Sequence, residues 1–356
     1  MDSDHDISNL VFLREDIEQR ERDILSPYAA LSADTKGRVV VRPLDIYRTE
    51  FQRDRDRILH CKSLRRLSHK TQVFLAAEGD HYRTRLTHTL EVAQIARSVA
   101  RTLRLNEDLT EAIALGHDLG HTPFGHTGET ALNRALSKIQ SDYREKYPKA
   151  PTHYEHVEQS LRLVECLEYD GKGLNLCWET RDGILGHSGN HIPKTLEGQI
   201  VRISDRIAYI NHDIDDALRA GVISEENLPQ EYCEVLGDNS PHRITTLVRD
   251  LVENSAGRER IIMSSSVEHA MLGLRSWMFD NVYLSQGAKS EEPKALGLIE
   301  SLFFYYLDHM DDVPHEYRVH SDGCDVRAVI DFVAGMTDRY ALKQYEEIFV
   351  PKSWRI

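Results

Sequence analysis

The sequence is short of several things, and each shortage closes off a class of protein. Its five cysteines (Cys61, Cys166, Cys177, Cys233 and Cys324) are an odd number, scattered, with no C-x-x-C pair. That pattern argues against a disulfide framework and a thiolate zinc site, and it reads as reduced thiols in a cytoplasmic protein. No apolar run approaches the roughly 18 residues a membrane span needs. The first 30 residues are polar and charged, so neither a secretory leader nor a membrane partner is expected. Positive charge is also in deficit, with 44 Lys+Arg against 58 Asp+Glu and a net charge of −14. A dedicated duplex-DNA binder normally carries the opposite balance. Strand-like alternation is scarce as well. Val39–Val41 and the stretch around Trp178 could make at most a small hairpin.

What the chain does have is length, helical periodicity and histidine. Its 356 residues, 40% hydrophobic and 29% charged, suffice for a full globular core. From Thr87 to Arg104 the apolar residues Leu90, Ala93, Ala96, Val99, Ala100 and Leu103 fall on one helical face. Asn106 is a plausible N-cap for a helix carrying Leu109, Ile113 and Ala114. Pro123 and Gly125 interrupt that run, and Thr127 suggests a new start. Thr152-His-Tyr-Glu155 fits a capping box opening a helix through Leu167. Further helices are expected over Leu196–Leu218, Ile244–Glu253, Val267–Leu284, Lys294–Met310 and Cys324–Phe349, with loops at Ser141–Pro151, Gly221–His242 and Gln286–Pro293. The expectation is an all-α protein: an N-terminal helical and basic segment over 1–60, a core over 61–222, and a C-terminal helical region over 223–356 packed on it.

Ten of the 18 histidines fall between His81 and His212, and histidine is both the commonest metal ligand and the usual acid or base near neutral pH. His88 sits in the first turn of one predicted helix. His117 and Asp118 are adjacent near the end of the next, and Asp205 lies in the helix that begins near Leu196. Neighbours on a helix project about 100° apart, so a His–Asp pair can grip one cation from two sides. With His88 and Asp205 arriving from other helices, four N/O ligands could converge on a divalent metal ion: Mg, Mn, Fe, Ni or Zn with water in the open positions. Taken singly, each residue could equally be a hydrogen-bonded core residue.

The run that follows the pair is more specific: His117-Asp118-Leu119-Gly120-His121-Thr122-Pro123-Phe124-Gly125-His126-Thr127-Gly128-Glu129. His126 and Glu129 are three apart and meet on one face if Thr127 starts a helix. A carboxylate can then orient an imidazole and raise its basicity, as a general acid or base needs. The competing interpretation is a solvated connecting loop. Asp205, Tyr209 and Asp213 form one stripe of one helix, able to hydrogen-bond a hydroxylated substrate such as a sugar, or else simply a charged surface. Arg85 precedes His88 by three residues, where its guanidinium could reach a phosphate on the metal. Eight Lys/Arg stand between Arg48 and Lys70 against three acids, and are expected to be mostly structural or interfacial. Charge is therefore uneven: residues 36–105 hold 16 basic and seven acidic side chains, so the negative total says nothing against an anionic substrate.

His88…His117-Asp118…Asp205 resembles the H…HD…D signature of the HD-domain phosphohydrolases. The segments His69–Phe74 and Asp80–Val92, the HDLGHTPFGHTGE run, Asp205-Arg-Ile-Ala-Tyr209 and His212-Asp213 narrow it. Together they resemble the dGTPase and dGTPase-like family of deoxynucleoside triphosphate triphosphohydrolases, over roughly Ser26 to Arg219. The resemblance implies that His88, His117, Asp118 and Asp205 bind the metal. It implies that His126, assisted by Glu129, serves proton transfer at the α-phosphate, with His121 close by. Arg85, His156 and Arg206 would contact the triphosphate, and Gln72, Tyr209 and Asp213 the deoxyribose. It further implies deoxynucleoside triphosphates as substrate and as effector, a homo-oligomer such as a hexamer, and single-stranded DNA as a regulator. Two other functions compete: another HD chemistry such as a nucleoside 5′-monophosphatase, and a non-catalytic nucleotide-sensing or strand-binding module.

Overall fold

The computed structural model describes residues 11–72, 83–139, 145, 147–148, 150–283 and 286–352. Val73, Phe74, Asp80, His81 and Tyr82, and most of the expected loop over Ser141–Pro151, lie outside them. The described part is all-α. No strand occurs among the described residues, and a single antiparallel bridge joins Thr71 to Thr84.

The order begins with α1 (Arg14–Ile24), α2 (Glu50–Leu59), α3 (Lys62–Arg66), α4 (Arg85–Thr102), α5 (Glu107–Gly116) and α6 (His126–Lys138). It continues with α7 (His156–Arg162), α8 (Trp178–Gly186), α9 (Leu196–Arg219), α10 (Gln230–Leu236), α11 (Ser240–Ser255) and α12 (Ser265–Met278). The last four are α13 (Gln286–Asp308), α14 (His315–Val319), α15 (Asp325–Ala334) and α16 (Asp338–Phe349).

The centre is a bundle of α4, α5 and α9, with α2 and α8 packed on α5. Val92, Ala96 and Val99 of α4 meet Leu109 and Ile113 of α5 and Ile200, Ile207 and Ile214 of α9 in one buried cluster. Each large aliphatic buried this way contributes about 1.5–3 kcal/mol. The cluster begins at Phe51 and runs on into α11 and α12, so the packing crosses both residue 60 and residue 222. A second cluster joins α6 to α13, α15 and α16. The C-terminal helices thus lie in two groups, one on α9 and one on α6.

Local chemistry sets the ends of the central helices. Asn106 caps α5 by accepting from Leu109 N–H at 3.1 Å, and Thr195 caps α9 by accepting from Gly198 N–H. The expected capping box at Thr152 does not form, and α7 starts four residues later at His156. The stretch around Trp178 is α8, not a hairpin strand. Its Gly183 lets α8 lie close on α5, because a Cβ there would meet the Ile113 side chain at 2.4 Å. The expected loop at Gln286–Pro293 is the start of α13, with Pro293 inside the helix. The helix expected over Cys324–Phe349 is two, broken at Gly335, with Thr337 capping the second.

The N-terminal segment is tied to the bundle by two buried carboxylates. Glu21 of α1 accepts from Ser32 N–H and Oγ–H, both at 2.7 Å, and from Asn106 Nδ2 at 3.1 Å. Glu197 Oε1 accepts the backbone N–H groups of Ala30 and Asn106, each at 3.0 Å. Glu197 Oε2 is buried without a partner, and burial pushes its carboxyl up to about 7 despite those two donors. Between about 4.3, the value in an unfolded chain, and about 7, the folded protein holds a proton that the unfolded chain has lost. This stabilisation is complete below that window and disappears as pH rises through 7. Glu197→Gln should therefore flatten the pH profile of urea stability, gaining up to about 3 kcal/mol on wild type above pH 7. Parallel profiles for the two proteins would contradict this assignment.

Candidate active site

His88 faces inward from the first turn of α4. His117 and Asp118 follow directly on the last residue of α5, and Asp205 comes from the third turn of α9. His88 Nε2 lies 3.0 Å from Asp205 Oδ1, and His117 Nε2 lies 3.6 Å from the same oxygen and 3.3 Å from Asp118 Oδ1. Three helices thus bring the four residues together. Asp118 also reaches the other way: Oδ2 accepts from Arg85 Nη1 at 2.8 Å, and Oδ1 is 3.2 Å from His121 Nε2.

The donor set fits a divalent cation. His117 Nδ1–H donates to the Ala114 carbonyl at 2.6 Å, which turns the lone pair of Nε2 into the cluster. That Nε2 is buried without a hydrogen-bond partner. The ligand atoms of His88, His117 and Asp205 lie within 4.8 Å of one another, and so do those of Asp118, His121 and His156. Asp118 stands where the two groups meet. Mixed imidazole and carboxylate oxygen suits Mn, Fe, Zn, Ni or Mg.

The electrostatics divide the imidazoles. Burial alone would lower His117, but Asp118 and Asp205 outweigh it and push the ring up to about 9. Burial would raise both carboxylates, yet the surrounding imidazoles hold Asp118 and Asp205 well below the usual range. On the far side, burial together with the charge of Arg85 drives His121 well below its ordinary value. Burial and the neighbouring His117 bring His187 down to about 3.

The cluster opens on a cavity of about 270 Å³, lined by Gln72, Arg85, His88, Asp118, His121, His126, His156, His187, Asp205, Arg206, Tyr209 and Arg275, with Ser188 and Gly189. Gly125 shapes one wall. Its φ is +57° and a Cβ there would meet Arg85 Nη2 at 2.6 Å, so the turn that starts α6 presses directly on the arginine. The helix begins at His126, one residue before the expected Thr127. His126 Nδ1 lies 3.5 Å from Glu129 Oε2, with the His126 side chain 66% exposed at the cavity's edge. Glu129 is shared: His156 Nδ1 is nearer, at 3.2 Å, and His156 N–H donates to Oε1. Burial would raise Glu129, but His126 and His156 hold it far below the normal carboxylate range. His121 and His156 stack at 4.0 Å with a 15° interplanar angle.

Nearly every candidate from the sequence is here. His117, Glu129 and Asp213 do not line the cavity; the first two contact residues that do, whereas Asp213 is buried one turn beyond Tyr209. Two lining residues carry no local sequence signal. His187 is one of the clustered histidines; its Nδ1–H donates to the Ile184 carbonyl at 2.8 Å, leaving Nε2 toward the site. Arg275 arrives from α12, 70 residues after Asp205. No ion pair joins Arg206 or Arg275 to a carboxylate among the described residues. The basic run before α4 is used structurally: Arg53 pairs with Glu50, Arg55 with Asp108, and Arg48 with Asp45 and Asp56. Of the remaining clustered histidines, His191 bonds Asp182 and His212 faces Glu91, both at 2.8 Å.

A helical bundle holding a buried His/His-Asp/Asp set is the form of an HD-domain phosphohydrolase. The HD domain family matches residues 85–210, and the phosphohydrolase-associated domain matches residues 261–347. A deoxyguanosinetriphosphate triphosphohydrolase-like protein of Caldanaerobacter subterraneus subsp. tengcongensis is 55% identical over 96% of this chain and 97% of its own length. Proteins of the same description from Desulfatibacillum aliphaticivorans and Bordetella pertussis are 46% and 41% identical, over 95% and 91% of this chain and 98% and 96% of theirs. The chain belongs to the deoxyguanosinetriphosphate triphosphohydrolase-like family. A phosphohydrolase crystal structure from Bacteroides thetaiotaomicron shares the fold, with a TM-score of 0.51 at 19% identity over 83% of this chain and 68% of that one. No helix among the described residues is long and apolar enough to cross a membrane.

Proposed function

We propose that the protein hydrolyses deoxynucleoside triphosphates to the deoxynucleoside and inorganic triphosphate. The observation that carries this reading is one cavity that combines a metal-type cluster, a carboxylate-oriented histidine and two arginines with no ion pair among the described residues. Family membership supports a hydrolase; the substrate and the site of cleavage are our inference. His88, His117, Asp118 and Asp205 would hold the cation, which supplies an acidified water and polarises the α-phosphate. Arg85, His156, Arg206 and Arg275 face the space where phosphate oxygens would lie and offset their charge. Gln72, whose Oε1 is buried without a hydrogen-bond partner among the described residues, and Tyr209 offer groups for the sugar hydroxyl, with Asp213 buried behind Tyr209 rather than on the cavity.

Breaking the bond to the 5′ oxygen expels an alkoxide, a poor leaving group. His126 would donate the proton, and Glu129 holds its ring in place. His121, kept neutral, would accept or pass a proton beside it. The test is the purified protein with each of the four deoxynucleoside triphosphates and a panel of divalent metals, with products separated by chromatography. Intact triphosphate is the expected product. Stepwise orthophosphate would favour a monophosphatase-like chemistry instead, and no turnover under any combination would favour a nucleotide sensor.

A further inference from the structure

The loop that carries His121 and His126 is held from behind by a residue of the C-terminal region. Asp338 is the first residue of α16 and only 7% exposed. Thr337 already caps that helix, accepting from Tyr340 N–H at 3.2 Å, so the Asp338 carboxylate is free to bond outside its own helix. Oδ1 accepts Phe124 N–H at 3.0 Å. Oδ2 accepts both Thr71 N–H at 2.9 Å and Thr71 Oγ1–H at 2.7 Å. One carboxylate therefore ties together two neighbouring segments, which carry Gln72 and His126 to the site.

Each segment needs an outside hold. Phe124 has φ +62° and is followed by Gly125 at φ +57°, a pair of left-handed residues that persists only where the surroundings fix it. This turn delivers His126 to the first position of α6. In the second segment, Thr71 bridges Thr84, and the Lys70 carbonyl accepts Arg85 N–H at 3.0 Å. That strip places Gln72 and the start of α4. Lys70 makes a second tie in the same direction: its buried ammonium donates to the His121 carbonyl and, at 2.9 Å, to the Ala334 carbonyl of α15.

We propose that Asp338 is a positioning residue for the hydrolysis, setting the turn at Phe124–Gly125, and with it His121 and His126, against Gln72 and Arg85. It does so without lining the cavity. The kinetic part of this proposal rests on the reaction proposed above; the structural part does not. Asp338→Asn in the full chain swaps one acceptor for an N–H₂, which must face a donor from either Thr71 or Phe124. Displacing catalytic groups by an ångström can cost about 100-fold, so kcat is expected to fall by about 10- to 100-fold. KM should change little, metal content should stay at the wild-type level, and Asp338→Glu should restore part of the rate.

Amide hydrogen exchange gives a readout independent of the reaction, and it should rise at Phe124 and Thr71. Tyr306→Phe is the control. It removes the 2.7 Å bond to Gln344 in the same C-terminal cluster and should lower Tm without lowering kcat. If Asp338→Asn fails to accumulate, Thr71→Val removes one of the three donors and should lower kcat in the same direction. Unchanged kcat and unchanged exchange in Asp338→Asn would overturn the proposal, as would equal kcat losses in Asp338→Asn and Tyr306→Phe. Faster exchange at the two amides in a protein that turns over no deoxynucleoside triphosphate would leave the positioning role standing and defeat the reaction.

Discussion

His126→Ala is expected to lower kcat by about 10²–10⁴-fold, the usual contribution of a positioned acid or base, while leaving metal content and Tm unchanged. The asymmetry follows from position. The His126 side chain is two-thirds exposed at the cavity's edge and meets Glu129 at 3.5 Å, so its removal opens no core cavity. Glu129 keeps its nearer partner, His156 at 3.2 Å, and is not left as an unpaired buried charge. The loss should also depend on the leaving group: a substrate whose leaving oxygen needs no proton, such as a nitrophenyl ester, should be spared most of it. Kinetics on the two substrates with metal analysis check this. A variant that turns over deoxynucleoside triphosphates at near-normal rates would remove His126 from the chemistry.

Asp205→Asn should have the larger total effect, because it acts on the metal. The Asp205 Oδ1 atom is the common neighbour of His88 at 3.0 Å and His117 at 3.6 Å. Replacing the carboxylate by an amide removes a negative charge from the point where α9 meets the ligands of α4 and α5. Metal occupancy should fall well below one per chain. Turnover should drop by at least about 10³-fold, since electrostatic stabilisation of the developing charge goes with the cation. The fold should survive, because Ile200, Ile207, Ile210 and Ile214 anchor the buried face of α9 independently. Elemental analysis and circular dichroism separate the two effects. Full occupancy together with full activity in Asp205→Asn would place the metal elsewhere.

The parts legible from sequence were those whose signal is local. The helices α4, α5 and α9 announce themselves by apolar spacing and by Asn106, and the four candidate ligands sit at helix ends or on faces that periodicity can place. The His126–Glu129 pairing was visible because three residues of separation is a helical contact. Elsewhere the local signal misled. The stretch around Trp178 read at most as part of a small hairpin, yet it is α8, where Gly183 packs hard on α5 and Gly186 on Pro193. Thr152 has the right neighbours for a capping box, but Glu155 takes the cap position and Glu129 receives the His156 N–H instead. Pro293 was read as a loop residue although it sits within α13.

What could not be read was long-range. Arg275 joins the cavity because α12 packs beside α9, and no spacing within either helix indicates it. His187 depends on the Ile184 carbonyl fixing its ring. Asp338 lies more than 200 residues from the loop it holds, and looks in sequence like an ordinary first-turn acid at a helix start. Charge, by contrast, became clearer with structure: Arg48, Arg53 and Arg55 are consumed in ion pairs and Arg57 in bonds to the Leu174 and Asn175 carbonyls, whereas Arg206 and Arg275 line the cavity.

The central claim is that the site directs water to the α-phosphate and releases the triphosphate whole. Hydrolysis of a deoxynucleoside triphosphate in heavy-oxygen water, with mass analysis of both products, tests it most directly. The account predicts label in the inorganic triphosphate and an unlabelled deoxynucleoside. Label in the 5′-hydroxyl of the deoxynucleoside, or in successively released orthophosphate, would contradict it.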